Sequence, residues 1–160
     1  MKKDLFILYL VISFMEKALL FDNLIKKLDE LSATSLSFNE NEVVKFLKAE
    51  TKKQRDLLKK FEDSISSQKW DEALASFILL TQRINIIFIY IFQPANISLL
   101  TTESKVSPYI EEYISLASLV ISSGILELRP NLKKIGVESI NASITANPPS
   151  ISLSMVVKGE

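Results

Sequence analysis

Ser139-Ile140-Asn141-Ala142-Ser143-Ile144-Thr145-Ala146-Asn147-Pro148-Pro149-Ser150-Ile151-Ser152-Leu153-Ser154-Met155-Val156-Val157 alternates apolar and small polar residues on either side of an Asn-Pro-Pro turn. A period of two sends successive side chains to opposite faces, so each run reads as a strand and the pair as a β-hairpin. One face carries Ile140, Ala142, Ile144, Ala146, Ile151, Leu153, Met155 and Val157. The other is rich in hydroxyls. Upstream of Pro130 the period is different: apolar residues recur three and four apart, the mark of amphipathic helices. The fold class is therefore α+β and mostly α, a four-helix, bundle-like domain over 1–130 with a hairpin appendage of the same domain over 131–160.

Working back from the hairpin, the helix boundaries follow from local chemistry. Ser107-Pro108 reads as an N-cap and first helical residue, and Tyr109, Ile110, Tyr113, Ile114, Leu116, Ala117, Val120 and Ile121 continue at helical spacing to Gly124, placed as a C′ glycine. Before it, a polar loop fills 94–107. The third helix opens near Trp70 and ends by Gln93, because Pro94 has no N–H and restricts its predecessor. The second runs to about Ile65 from an N-cap at Asn39, with Glu42 three residues on as a capping box. The first spans about Lys3 to Leu31.

Within this frame Ser67 to Leu80, Ser-Gln-Lys-Trp-Asp-Glu-Ala-Leu-Ala-Ser-Phe-Ile-Leu-Leu, resembles the start of the second helix in tetratricopeptide-like modules. The turn ahead of it is Ser-Ser-Gln where such modules place glycine, and no second copy follows, whereas stacked repeats need several. The segment is read as a helix start in which Asp71 and Glu72 sit at the positive end of the dipole.

The absences in the chain are informative. With 160 residues, no histidine, no cysteine and 3 glycines, the parts for Ser-His or Cys-His catalysis, thiolate or imidazole metal sites and glycine-rich phosphate loops are missing. The paired carboxylates Asp29-Glu30, Asp71-Glu72 and Glu111-Glu112 are neighbours on helices and point about 100° apart, so they cannot flank one substrate. No enzyme activity, cofactor or metal is expected. Lysine plus arginine equals aspartate plus glutamate at 19 each, so no global field favours nucleic acid.

Two tracts are unusually apolar. Leu5 to Met15 imitates a secretory signal, but Asp4, Glu16-Lys17 and the lack of an Ala-x-Ala site oppose that reading. Phe77 to Phe92 carries Gln82, Arg83 and Asn85, and an arginine at a bilayer centre costs ~2.5–3.5 kcal/mol on insertion scales. Both are expected to be core helices of a cytoplasmic protein, with a membrane partner the least favoured. A four-helix bundle can surround one such helix but hardly two, so something else must cover apolar surface: the hairpin, a second copy or another protein.

The function expected on these grounds is a non-enzymatic protein-interaction or assembly subunit, a homo-oligomer or a partner's complement. Its contact residues are the hairpin row Ile140, Ile144, Ile151, Leu153, Met155 and Val157, and the hairpin is expected to fold separably from the helices. The alternative is a small helical subunit of a nucleoprotein complex. For that, Lys45, Lys48, Lys52, Arg55 and Lys59 form a stripe on one side of the second helix that is able to track phosphates. Such stripes are more often simply solvated.

Overall fold

Apolar spacing of three and four residues becomes, in the computed structural model, four α-helices among the described residues 17–101, 103–146 and 149–159. They are α1 (Lys17–Ser32), α2 (Phe38–Ser66), α3 (Trp70–Ile91) and α4 (Ser107–Leu128), and β1 (Val137–Ala146) and β2 (Pro149–Val157) follow. The tract Leu5 to Met15 lies outside the described residues. Short 3-10 turns at Ile97–Leu100 and Arg129–Ile135 fill the connections on either side of α4. The α+β, mostly helical class with a C-terminal hairpin is what the structure shows.

Three boundaries differ from the sequence reading, each for a local reason. The capping box belongs to Ser37 and Glu40 and not to Asn39 and Glu42: the Glu40 N–H donates to Ser37 Oγ at 3.1 Å, and the Ser37 N–H donates to Glu40 Oε1 at 3.0 Å. The Ser37 N–H, and after it the Lys105 N–H at 2.9 Å, donate to the Glu40 carboxyl and hold it below its usual range. The second difference is at Ser107, which is the first helical residue and turns its hydroxyl toward the Leu100 carbonyl instead of capping.

The third concerns Gly124, which does not end α4. The helix continues to Leu128, and the left-handed glycine comes later, at Gly136 with φ 78°. Gly124 instead admits a ring: a Cβ there would sit 2.4 Å from Cε2 of Phe77, a fully buried side chain of α3. Gly124→Ala is therefore an overpacking change, expected to cost ~1–3 kcal/mol in denaturant melts despite alanine's better helix propensity. An unchanged or raised midpoint would show that Phe77 yields freely.

The core follows from these faces. α1 packs on α2 and α2 on α3, while α4 closes against α1 and α3. Phe61 and Phe77 lie 5.6 Å apart by ring centroid, and Tyr113 meets Phe88 edge-on at 6.2 Å. Tyr113 is fully buried, and its hydroxyl donates to Gln54 Oε1 at 2.6 Å. Burial raises that phenol well above its ordinary range, with the Gln54 bond opposing in part. Buried Glu50 of α2 is paired with Lys53 and reaches Arg83 of α3 at 3.4 Å, so the arginine of the apolar tract serves as a cross-helix tie. Lys17 is buried as well, its ammonium paired with Glu127 and its N–H donating to Glu62.

The hairpin completes this core. β2 lies on α3 and β1 on α4, and Val137, Ile140 and Ile151 join the same buried cluster as the helices, next to Leu132 of the preceding turn. That sharing argues against the expectation of a separably folding appendage. The antiparallel register pairs Ile140 with Met155, Ala142 with Leu153 and Ile144 with Ile151.

Candidate docking surface

A twisted two-stranded ribbon lying obliquely across helices cannot bury its whole apolar face. The burial here runs along a diagonal. Ile140 on β1 and Ile151 on β2 are 1% and 4% exposed, and Ala142 and Leu153 between them are half-buried. The opposite corners stay in water: Ile144 at 44%, Met155 at 39% and Val157 at 67%. The row expected to serve as an interface is thus divided. Ile140 and Ile151 are spent on the chain's own core and are not open to a partner, whereas Ile144, Met155 and Val157 are accessible, with Leu153 in between.

The two edges of the ribbon differ too. At the β2 edge Asn85, from α3, spans the Ile151 main chain: its Nδ2 donates to the Ile151 carbonyl at 2.7 Å, and its Oδ1 accepts the Ile151 N–H at 2.9 Å. One side-chain amide thus does what a neighbouring strand does. Because the Ile151 polar groups point away from β1, the pair Ile144/Ile151 is a non-hydrogen-bonded one. By the same alternation the N–H and C=O groups of Ile140, Ala142, Ile144 and Ala146 point outward from β1, those of Ile140 being closed off with the rest of that residue at 1% exposure. No further strand among the described residues meets that side.

Beside the open β1 edge lies a groove of about 290 Å³ lined by Ser122, Ile125, Leu126 and Arg129 of α4 and its end, and by Asn141, Ala142 and Ile144. Leu126 is 44% exposed and faces the same space as Ile144. Arg129 is the charged residue of this lining, and its Nη2 donates to Asn141 Oδ1 at 3.3 Å. The outer hairpin face is a ladder of small polar pairs, Asn141 with Ser154, Ser143 with Ser152 and Thr145 with Ser150. The last pair shares a hydroxyl bond of 2.6 Å. A second exposed apolar line, Leu79, Ile86 and Ile89, runs along α3.

The basic stripe sits on α2 as the spacing indicated, but its charges are largely answered from within the chain. Lys45 pairs with Glu42 at 3.4 Å, Lys48 with Asp29 of α1 at 2.8 Å, and Arg55 with Asp22 of α1 at 2.9 Å and Asp56 at 3.2 Å. The Lys48 contact holds the Asp29 carboxyl below its usual range, and the Asp22 contact raises the Arg55 guanidinium. Lys52 and Lys59 are exposed on the same side. A phosphate arriving here competes with three aspartates.

Among the described residues no group of three or more acidic, histidine or cysteine side chains is placed to hold a metal ion. Trp70–Ile91 and Ser107–Ile135 are long and apolar enough, by length and composition, to cross a membrane. In the first of these the buried positions Ala73, Phe77, Leu80, Ile84, Ile87 and Ile91 follow one helical face, as a core helix requires. The chain matches no protein-family model, no curated protein and no solved structure.

Sequence reasoning missed Asn85 as a hairpin clasp and Leu126 as part of the groove. A lone amide in the run Ile84 to Phe92 was the available signal for the first, since a polar side chain in such a run is retained only with partners. Leu126 gave no signal, lying beyond the glycine read as the helix end.

Proposed function

We propose that this protein is a non-enzymatic assembly subunit that binds another polypeptide through its C-terminal hairpin and the adjoining α4 surface. The observation that carries the reading is the coincidence, on one side of the molecule, of an open strand edge with the exposed apolar residues Ile144 and Leu126. Edges facing only water usually carry lysine, proline or an inward charge, and Ser139 to Ala146 has none of these. The nucleic-acid alternative lacks comparable support, because Lys48 and Arg55 are engaged with aspartates of α1.

Native mass measurement of the protein purified from its source, with light scattering of the isolated chain at micromolar concentration, tests the proposal. The expected result is a species heavier than the monomer in at least the first measurement. A monomer in both, with no loss of a partner on purification, rejects it.

A further inference from the structure

Independently of the hairpin, we infer that the outward face of α3 seats an amphipathic α-helix of another polypeptide, one with acidic residues beside its apolar face. After Glu72 the exposed residues of α3 are Ala75, Leu79, Gln82, Ile86 and Ile89, in steps of four and three along one row. None is charged, and Leu79, Ile86 and Ile89 leave large aliphatic side chains in water, Ile89 at 67% exposure. The outward side of a surface helix ordinarily carries its charges. Here it carries an aliphatic row about 15 Å long.

The margins of the row select its occupant. On one side lies β2, clasped by Asn85 and uncharged from Pro149 to Val157. On the other lies α2, where Phe46 stacks on Tyr90 at 3.9 Å between ring centroids and Glu50 meets Arg83. Lys53 shares the Glu50 carboxylate at 2.9 Å, and Lys60 lies on the same side of α2 about two turns on. Arg83, Lys53 and Lys60 thus face one carboxylate, while Glu42 and Glu72 toward the two ends are paired with Lys45 and Lys69. The α2 margin is left positive. Main-chain groups of α3 are spent within the helix, so an extended peptide finds no backbone partner on this face. A helix brings its backbone bonds with it and packs side chains against the row at an axial distance of about 8–10 Å. A second copy of this chain does not answer the charge: antiparallel rows set the basic margin against its mate, and parallel rows set it against uncharged β2. Glutamate or aspartate beside an apolar row does.

A fluorescent three-heptad peptide with leucine at a and d and glutamate at e and g is the probe, its like charges keeping it from pairing with itself. The same peptide with lysine at e and g is the control. By fluorescence anisotropy with the full chain at low salt, the acidic peptide should bind more than about tenfold tighter than the basic one, the ratio shrinking as salt is added. Ile86→Asp, at an exposed site, should weaken the acidic peptide by about tenfold or more. Lys53→Gln with Lys60→Gln should narrow the gap between the two peptides. Because the chain has no cysteine, Ile86→Cys supplies a single thiol, which should react readily with a maleimide and be protected by the acidic peptide.

Equal affinities for the two peptides, or an acidic peptide indifferent to Ile86→Asp, overturn the proposal. A thiol at residue 86 that reacts slowly without peptide also overturns it, since this chain or a second copy then already covers the row. Flotation of the parent with anionic vesicles, lost in Ile86→Asp and unaccompanied by peptide binding, assigns the row to a bilayer surface instead. Should Ile86→Asp lose its helical dichroism, protection of the cysteine variant decides. None of these results touches the hairpin reading, whose test is the mass of the native complex.

Discussion

Ending the chain at Gly136 is expected to abolish cooperative unfolding. Val137, Ile140 and Ile151 would be removed from the common core, each contributing ~1.5–3 kcal/mol by burial, and the surfaces of α3 and α4 beneath them would be bared. Domains of this kind retain only about 5–15 kcal/mol of net stability, so the loss is of the same order as the whole. Thermal denaturation followed by circular dichroism should change from a sigmoid to a shallow slope with reduced helical signal. A shortened chain that melts sharply near the parent's midpoint would mean that the hairpin rests on a helical domain already complete.

The second large effect is expected at Asn85. Replacing it with leucine leaves the partly buried N–H and C=O of Ile151 without partners, at about 2–4 kcal/mol for the two together. Asn85→Asp discriminates hydrogen bonding from shape. The carboxylate still accepts from the Ile151 N–H but presents an oxygen to the Ile151 carbonyl, so neutral pH should be unfavourable, whereas acidification protonates the carboxyl and supplies the missing donor. For a carboxyl favoured in its protonated form by the fold, stability is present below the unfolded-state pKa and falls as pH rises through the folded-state value. Chemical melts of both variants against the parent, at acidic and neutral pH, give the comparison. Equal midpoints for Asn85→Leu and the parent would show that water replaces the clasp without cost.

The hairpin was legible because alternation from Ser139 to Val157 has no other reading, and the helices because their apolar spacing and the proline before Ala95 bound them. What the alternation cannot reveal is what lies under the face it defines. Ile140 and Ile144 are indistinguishable in sequence, and only the oblique crossing of β1 over α4 separates a core residue from an exposed one. The stripe on α2 was legible as a row, but its neutralisation depends on Asp22 and Asp29 of a different helix, which no spacing within α2 reports. Gly124 shows the same limit. A glycine late in an apolar helix fits a helix end and a close crossing equally well, and the deciding atom belongs to Phe77, far away in sequence.

The Asn85 clasp bears on the order of folding. Its two hydrogen bonds join residues 66 apart, while the hairpin tip, where Thr145 meets Ser150, closes over a separation of 5. Local zippering of such a ribbon takes microseconds, but the ribbon by itself is marginal and has no seat until α3 has formed and turned Asn85 outward. Seating of the ribbon thus waits on α3. A contact that closes after the rate-limiting step sets the lifetime of the native state more than the speed of reaching it, and for Asn85 that would show as faster unfolding of Asn85→Leu with refolding unchanged.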